Sequence, residues 1–117
     1  MRTTLKTFGI VSMVVVFVAV TLSFGDSTSA ETELEGDAKA GETKAADCTT
    51  CHGKQGISTN TLWPNLAGQQ EGYLVKSIKD FRDGIRTEVT MQPFMKDLTD
   101  QDVADLAAYY TGLSPCP

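Results

Sequence analysis

Cys48, Thr49, Thr50, Cys51 and His52 place two thiols and the chain's single histidine at consecutive positions. Two cysteines separated by two residues on a tight turn can reach the two vinyl groups along one haem edge and form thioethers. A histidine directly after the second cysteine then lies beneath the iron and supplies the proximal nitrogen ligand. Three other chemistries use part of this pattern. A thioredoxin-like dithiol belongs at a helix start in a βαβ context, and no strand pattern surrounds these residues. Zinc needs four ligands, usually from two separated pairs. Beyond Cys48, Cys51 and His52 the chain offers only the distant Cys116. A disulfide between Cys48 and Cys51 would close too small a loop to stabilise much. Covalent haem attachment is the reading that uses both cysteines and the histidine together.

Haem iron normally takes a sixth ligand from the far side, often methionine. No second histidine exists, so Met91 and Met95 are the candidates; Met1 is the start and Met13 falls in an apolar N-terminal run. Met91 lies in an extended stretch near Pro93, free of helical constraint. Met95 is nearer the last predicted helix and could be ordinary core, as most methionines are. Position favours Met91 slightly and leaves both open.

The elements that must position these residues are helical. Residues 37–47 are rich in alanine and lysine, which favours a helix, with Gly41 as a weak point. This segment runs straight into Cys48. Residues 53–68 carry glycines, Pro64 and the asparagines Asn60 and Asn65, and read as a loop. Leu74, Ile78 and Phe81 follow helical spacing within residues 69–83, and Gly84 ends that helix. Residues 85–98 read as a second loop. The last helix begins at Thr99, where Asp102 can complete a capping box. Val103, Leu106, Ala107 and Tyr110 then form one apolar stripe, stopped by Gly112 and Pro115. The domain is predicted to be all-α with long loops, and two such loops wrapping one buried cofactor would explain their length.

The chain has 117 residues, enough for one small domain. Arg2 and Lys6 precede an apolar run over residues 8–24, and Ser27, Thr28, Ser29 and Ala30 follow it. That is the pattern of a signal peptide over residues 1–30, cleaved after Ala30, or of a retained anchor at residues 8–24. Either places the folded part outside the cytoplasm. Residues 31–36 read as a flexible leader, 37–113 as the domain and 114–117 as a tail. The net charge is −5, and it becomes more acidic once the leader is removed. Nucleic acid is excluded as a partner, because binding it requires a basic footprint. An acidic domain suits partners that present positive patches. With two of the three cysteines in one motif, a disulfide framework is a poor account of so small an exported domain.

The sequence resembles the class I cytochrome c family over residues 36–113, especially small bacterial mono-haem domains and each half of the related di-haem proteins. The resemblance rests on the Cys48–His52 motif with Gly53, on Trp63-Pro64-Asn65-Leu66-Ala67-Gly68-Gln69, and on Tyr73-Leu74. It continues through Phe81-Arg82-Asp83-Gly84-Ile85-Arg86, Met91-Gln92-Pro93-Phe94-Met95, and Leu98-Thr99-Asp100 to Tyr109-Tyr110. It implies a cytochrome c fold, with three to four helices and long loops wrapped around one covalently bound haem c. It also implies Met91 as the distal axial iron ligand opposite His52. Pro64 would offer its carbonyl to His52, Gly41 and Tyr109 would mark a helix crossing, and Trp63 and Arg86 could meet the haem propionates. Tyr110 is read as packing. Cys116 has no counterpart.

The implied function is single-electron transfer between periplasmic or membrane-bound partners, such as a cytochrome oxidase, reductase or dehydrogenase. With both axial positions filled no site is open for substrate, so no enzyme activity is expected. The alternative is a haem subunit of a larger oxidoreductase complex. Membrane contact is expected only if the N-terminal segment is retained.

Overall fold

The computed structural model describes residues 34–116. The expected signal segment lies outside the described residues. Among the described residues no helix is long and apolar enough to cross a membrane, and there is no strand.

Helix α1 spans Ala38–Lys44. Asp37 caps it by accepting from the backbone N–H groups of Lys39 and Ala40, which satisfies donors that the first turn leaves without partners. The helix tightens into a 3-10 turn at Ala45–Cys48 and passes into α2, the single turn Thr49–His52. The haem motif is therefore helical, continuous with α1, and ends at Gly53 with a φ of 80°. An ideal Cβ on Gly53 would lie 2.0 Å from the Ile57 carbonyl oxygen, so this position has room only for glycine.

Helix α3 spans Glu71–Arg82 and buries Leu74 and Phe81, with Ile78 packed partly against the core. Gly84 ends it with a φ of 74°, as a left-handed C-cap requires. Helix α4, Gln92–Met95, is one turn within the segment expected to be loop. Its four residues are too few for a periodic signal, and Pro93 in its first turn is preset for the helical φ. Helix α5 spans Asp100–Gly112. Its capping box forms as expected: the Asp102 N–H donates to Thr99 Oγ1 at 3.1 Å, and the Thr99 N–H donates to the Asp102 carboxylate at 2.8 Å. The four residues of its predicted stripe are all buried.

The core joins Ala45, Leu74, Leu106, Ala107 and Tyr110. Helix α1 crosses α5 where an ideal Cβ on Gly41 would lie 2.0 Å from the Asp105 carbonyl oxygen and 2.8 Å from Tyr109 Cβ. Asp105 is buried at this crossing, 3 % exposed. It accepts from the Asp37 N–H at 2.9 Å and from Gln101 Nε2 at 2.8 Å, with Lys44 Nζ at 3.7 Å. Gln101 Nε2 also donates to the Glu35 carbonyl at 3.0 Å. Side chains of α5 thus hold the chain entering α1, which in turn sets where the motif begins.

Candidate functional site

The fold encloses a cavity of about 500 Å3, within the range of small-molecule and cofactor sites. Cys48, Cys51 and His52 line it from the α2 turn, Leu74, Ile78 and Phe81 from α3, and Leu106 and Tyr110 from α5. Met91 and Met95 enter it from the α4 end. Most of this lining is apolar, as a dry pocket for a large planar group requires.

His52 is 5 % exposed, and its Nδ1 lies 2.8 Å from the Pro64 carbonyl oxygen. A carbonyl only accepts, so Nδ1 carries the proton and Nε2 presents its lone pair. That Nε2 is buried and has no hydrogen-bond partner among the described residues. A histidine ring fixed through one nitrogen, with the other turned into the cavity without a partner among the described residues, is the arrangement of a metal-ligating histidine.

The loop after α2 supplies the Pro64 carbonyl, and its shape follows from its own polar groups. Ser58 Oγ donates to the Cys51 carbonyl at 3.1 Å, and the Ser58 N–H donates to Asn65 Oδ1 at 2.8 Å. The Gly56 carbonyl accepts from the N–H groups of both Leu66 and Ala67. These bonds fold residues 53–68 back over the motif and bring Pro64 to His52. Ser58 and Asn65 escaped the sequence reading as contributors, because only the folded loop shows what they bond.

Cys48 and Cys51 are not joined to each other by a disulfide. Burial pushes the Cys48 thiol above its ordinary pKa, and the neighbouring Tyr110 hydroxyl opposes that shift. Trp63 and Arg86 both reach the cavity wall. The Arg86 guanidinium stacks over the Phe81 ring, 4.4 Å from its centroid. Leu62, Tyr73 and Phe94 line the cavity while remaining exposed, so its mouth has an apolar rim. Cys116 is exposed and does not line the cavity.

An all-α domain with this cavity, two cysteines on its wall and an orphaned histidine nitrogen inside it has the donor set of a covalently bound haem. The family model described as Cytochrome c matches residues 38–114, and the chain belongs to the cytochrome c family. The domain binds one haem c through its single Cys-x-x-Cys-His motif. Cytochrome c4 of Pseudomonas aeruginosa is 51% identical over 75 residues, covering 64% of this chain and 37% of that protein. Cytochrome c-554(548) of Halomonas halodenitrificans is 47% identical over 79 residues, covering 65% of this chain and 95% of that protein. Among solved structures, reduced recombinant cytochrome c4 from Pseudomonas stutzeri superposes with a TM-score of 0.65 at 39% identity, covering 68% of this chain and 46% of that one. The chain thus spans less than half of each of these two cytochrome c4 proteins.

Proposed function

We propose that this domain is a single-electron carrier in which His52 and Met91 are the axial ligands of a haem joined to Cys48 and Cys51. The observation that carries the reading is the His52 ring, fixed by Pro64 at 2.8 Å with Nε2 unpartnered in a cavity that Met91 also lines. Bound haem supplies a one-electron Fe(III)/Fe(II) couple. The Pro64 carbonyl fixes the ring orientation of His52 and raises the basicity of Nε2. Met95 is 3 % exposed and committed to packing. Met91 is only half-buried and faces the same cavity, so its thioether is the one with surface left to offer. Both methionines line the cavity, and it is burial that favours Met91.

The apolar rim of Leu62, Tyr73 and Phe94 at the mouth suits transient docking of a redox protein, and the acidic balance favours one with a positive patch. An oxidase, reductase or dehydrogenase outside the cytoplasm fits the leader-like start of the sequence. With two axial ligands in place the iron offers no substrate site, and the protein acts as a carrier.

The test is Met91→Ala beside Met95→Ala in the exported holoprotein. Loss of the sulfur-to-iron charge-transfer band and a lower midpoint potential are expected for Met91→Ala alone. An unchanged spectrum and potential in Met91→Ala would show that the axial assignment is wrong.

A further inference from the structure

Residues 85–98 bring Met91 to the cavity, and most of their hydrogen bonds are local. The N–H groups of Met91 and Gln92 both donate to the Glu88 carbonyl at 3.0 Å. The Glu88 carboxylate accepts from the Thr90 N–H at 3.3 Å and from Thr90 Oγ1 at 3.1 Å. The Leu98 N–H donates to the Met95 carbonyl at 3.1 Å. Such bonds shape a turn without fixing it to the rest of the domain. Among the described residues, hydrogen bonds tie the segment outward only at its two ends. At its start the Arg86 N–H donates to the Asp80 carbonyl of α3 at 2.9 Å. At its end the Leu98 carbonyl accepts from Arg82 Nη1 at 3.4 Å. Met95 and Leu98 add apolar packing near that end. Met91, only half-buried, stands between the ties.

Arg82 holds more than one carbonyl. It is the last residue of α3, and its Nη1 also donates to Asp100 Oδ1 at 2.7 Å, 18 positions along the chain in the first turn of α5. Its Nε donates to Asp83 Oδ1 at 2.8 Å. One planar guanidinium therefore joins Asp83, which precedes the segment, to Leu98 and Asp100, which close it. Lysine would offer a point charge in place of this fork. The Arg82 side chain is 19 % exposed and that of Asp100 57 %, so solvent screens the pair in part. Fixing the two ends of a flexible segment removes conformations from its middle, and the middle is where Met91 lies.

The geometry points to Arg82 as a positioning residue for the distal side of the haem: its guanidinium clasps Asp83 to Leu98 and Asp100, and so holds the Met91 thioether against displacement from the iron. This rests on the proposed ligation by Met91 and adds to it what keeps that ligand in place.

The experiment is an imidazole titration of the ferric holoprotein, followed by haem absorbance. Imidazole can take the iron only in molecules whose thioether has left it, so its apparent affinity reports how often the segment opens. Arg82→Gln and Asp100→Asn are each expected to bind imidazole about two- to fivefold more tightly than wild type. The double variant should match Arg82→Gln, because both changes break the same clasp. Asp83→Asn leaves the bonds to Leu98 and Asp100 in place and should bind as wild type does. In a Met91→Ala background there is no thioether to displace, so Arg82→Gln should add nothing. Wild-type affinity in Arg82→Gln, additive effects in the double variant, or an equal effect without Met91 would overturn the clasp and leave the ligand assignment standing. Wild-type imidazole affinity in Met91→Ala itself would overturn the ligand assignment, and the clasp with it. If Arg82→Gln does not fold, Asp100→Asn against wild type and in the Met91→Ala background decides in the same way.

Discussion

Gly41→Ala and Gly72→Ala make the same chemical change in two helices and should move stability in opposite directions. In an exposed helix interior the substitution gains roughly 0.5–1 kcal/mol, because glycine gives up more backbone freedom on folding. Gly72 is exposed in the first turn of α3 at negative φ, where part of that gain applies, and an ideal Cβ there meets nothing within 4 Å. A gain of about 0.5 kcal/mol is expected there. At Gly41 the new carbon would lie 2.0 Å from the Asp105 carbonyl oxygen and 2.6 Å from its carbon. Ordinary carbon–oxygen contact begins at roughly 3.3 Å, so α1 and α5 must separate by on the order of 1 Å. A gap of that size forfeits about a quarter to a half of the dispersion energy at facing atom pairs. Overpacking of this kind costs about 1–3 kcal/mol. Net of the helix gain, a loss of about 2 kcal/mol is expected, roughly thirtyfold in the folded-to-unfolded ratio. Urea denaturation of the ferric holoprotein, followed by far-UV circular dichroism and haem absorbance, reads both variants. Equal stability of Gly41→Ala and wild type would refute the close crossing of α1 and α5. So would midpoints that move the same way in the two variants.

Thr99→Ala removes the Thr99 Oγ1 half of the α5 capping box, leaves the Thr99 N–H bond to the Asp102 carboxylate, and should cost about 1 kcal/mol in the same denaturation assay. The Asp102 carboxyl is held below the usual carboxylate range first by its bond to the Thr99 side chain, so its NMR titration should move upward in that variant. Asp105 is likewise held below its ordinary value, first by the Asp37 N–H, then by Gln101 and Lys44. A lowered folded value means a contribution that is full above the unfolded aspartate value of about 3.9 and is lost as pH falls through the folded one. Asp105→Asn should therefore be less stable than wild type at neutral pH, with the two denaturation midpoints converging in acid below that range. A gap that stayed constant with pH would show that the charge of Asp105 does not carry the contact.

Much of this protein is written in short-range sequence. The Cys48–His52 motif is legible because thioether attachment demands its fixed local spacing. Helices α3 and α5 were predictable because the spacing of Leu74, Ile78 and Phe81, and the Thr99–Asp102 cap, act within one or two turns. The family resemblance added the Pro64 carbonyl and the Gly41–Tyr109 crossing, both of which are present in the fold. Helix α4 was not legible, because one turn leaves no period to detect.

What tertiary structure decided lies between residues far apart in the chain. The clasp of Asp105 on the Asp37 N–H joins groups 68 positions apart, and no local pattern distinguishes Asp105 from the exposed acids around it. Tyr110 reads as one more apolar-face residue of α5, and only the packing of α5 buries its hydroxyl without a partner among the described residues. Sequence alone fixed which atoms can bond a haem, because that chemistry is local. The apolar lining of the pocket, the His52 Nε2 left without a partner among the described residues and the difference in burial between Met91 and Met95 needed the fold, because burial is a property of neighbours that arrive from elsewhere in the chain.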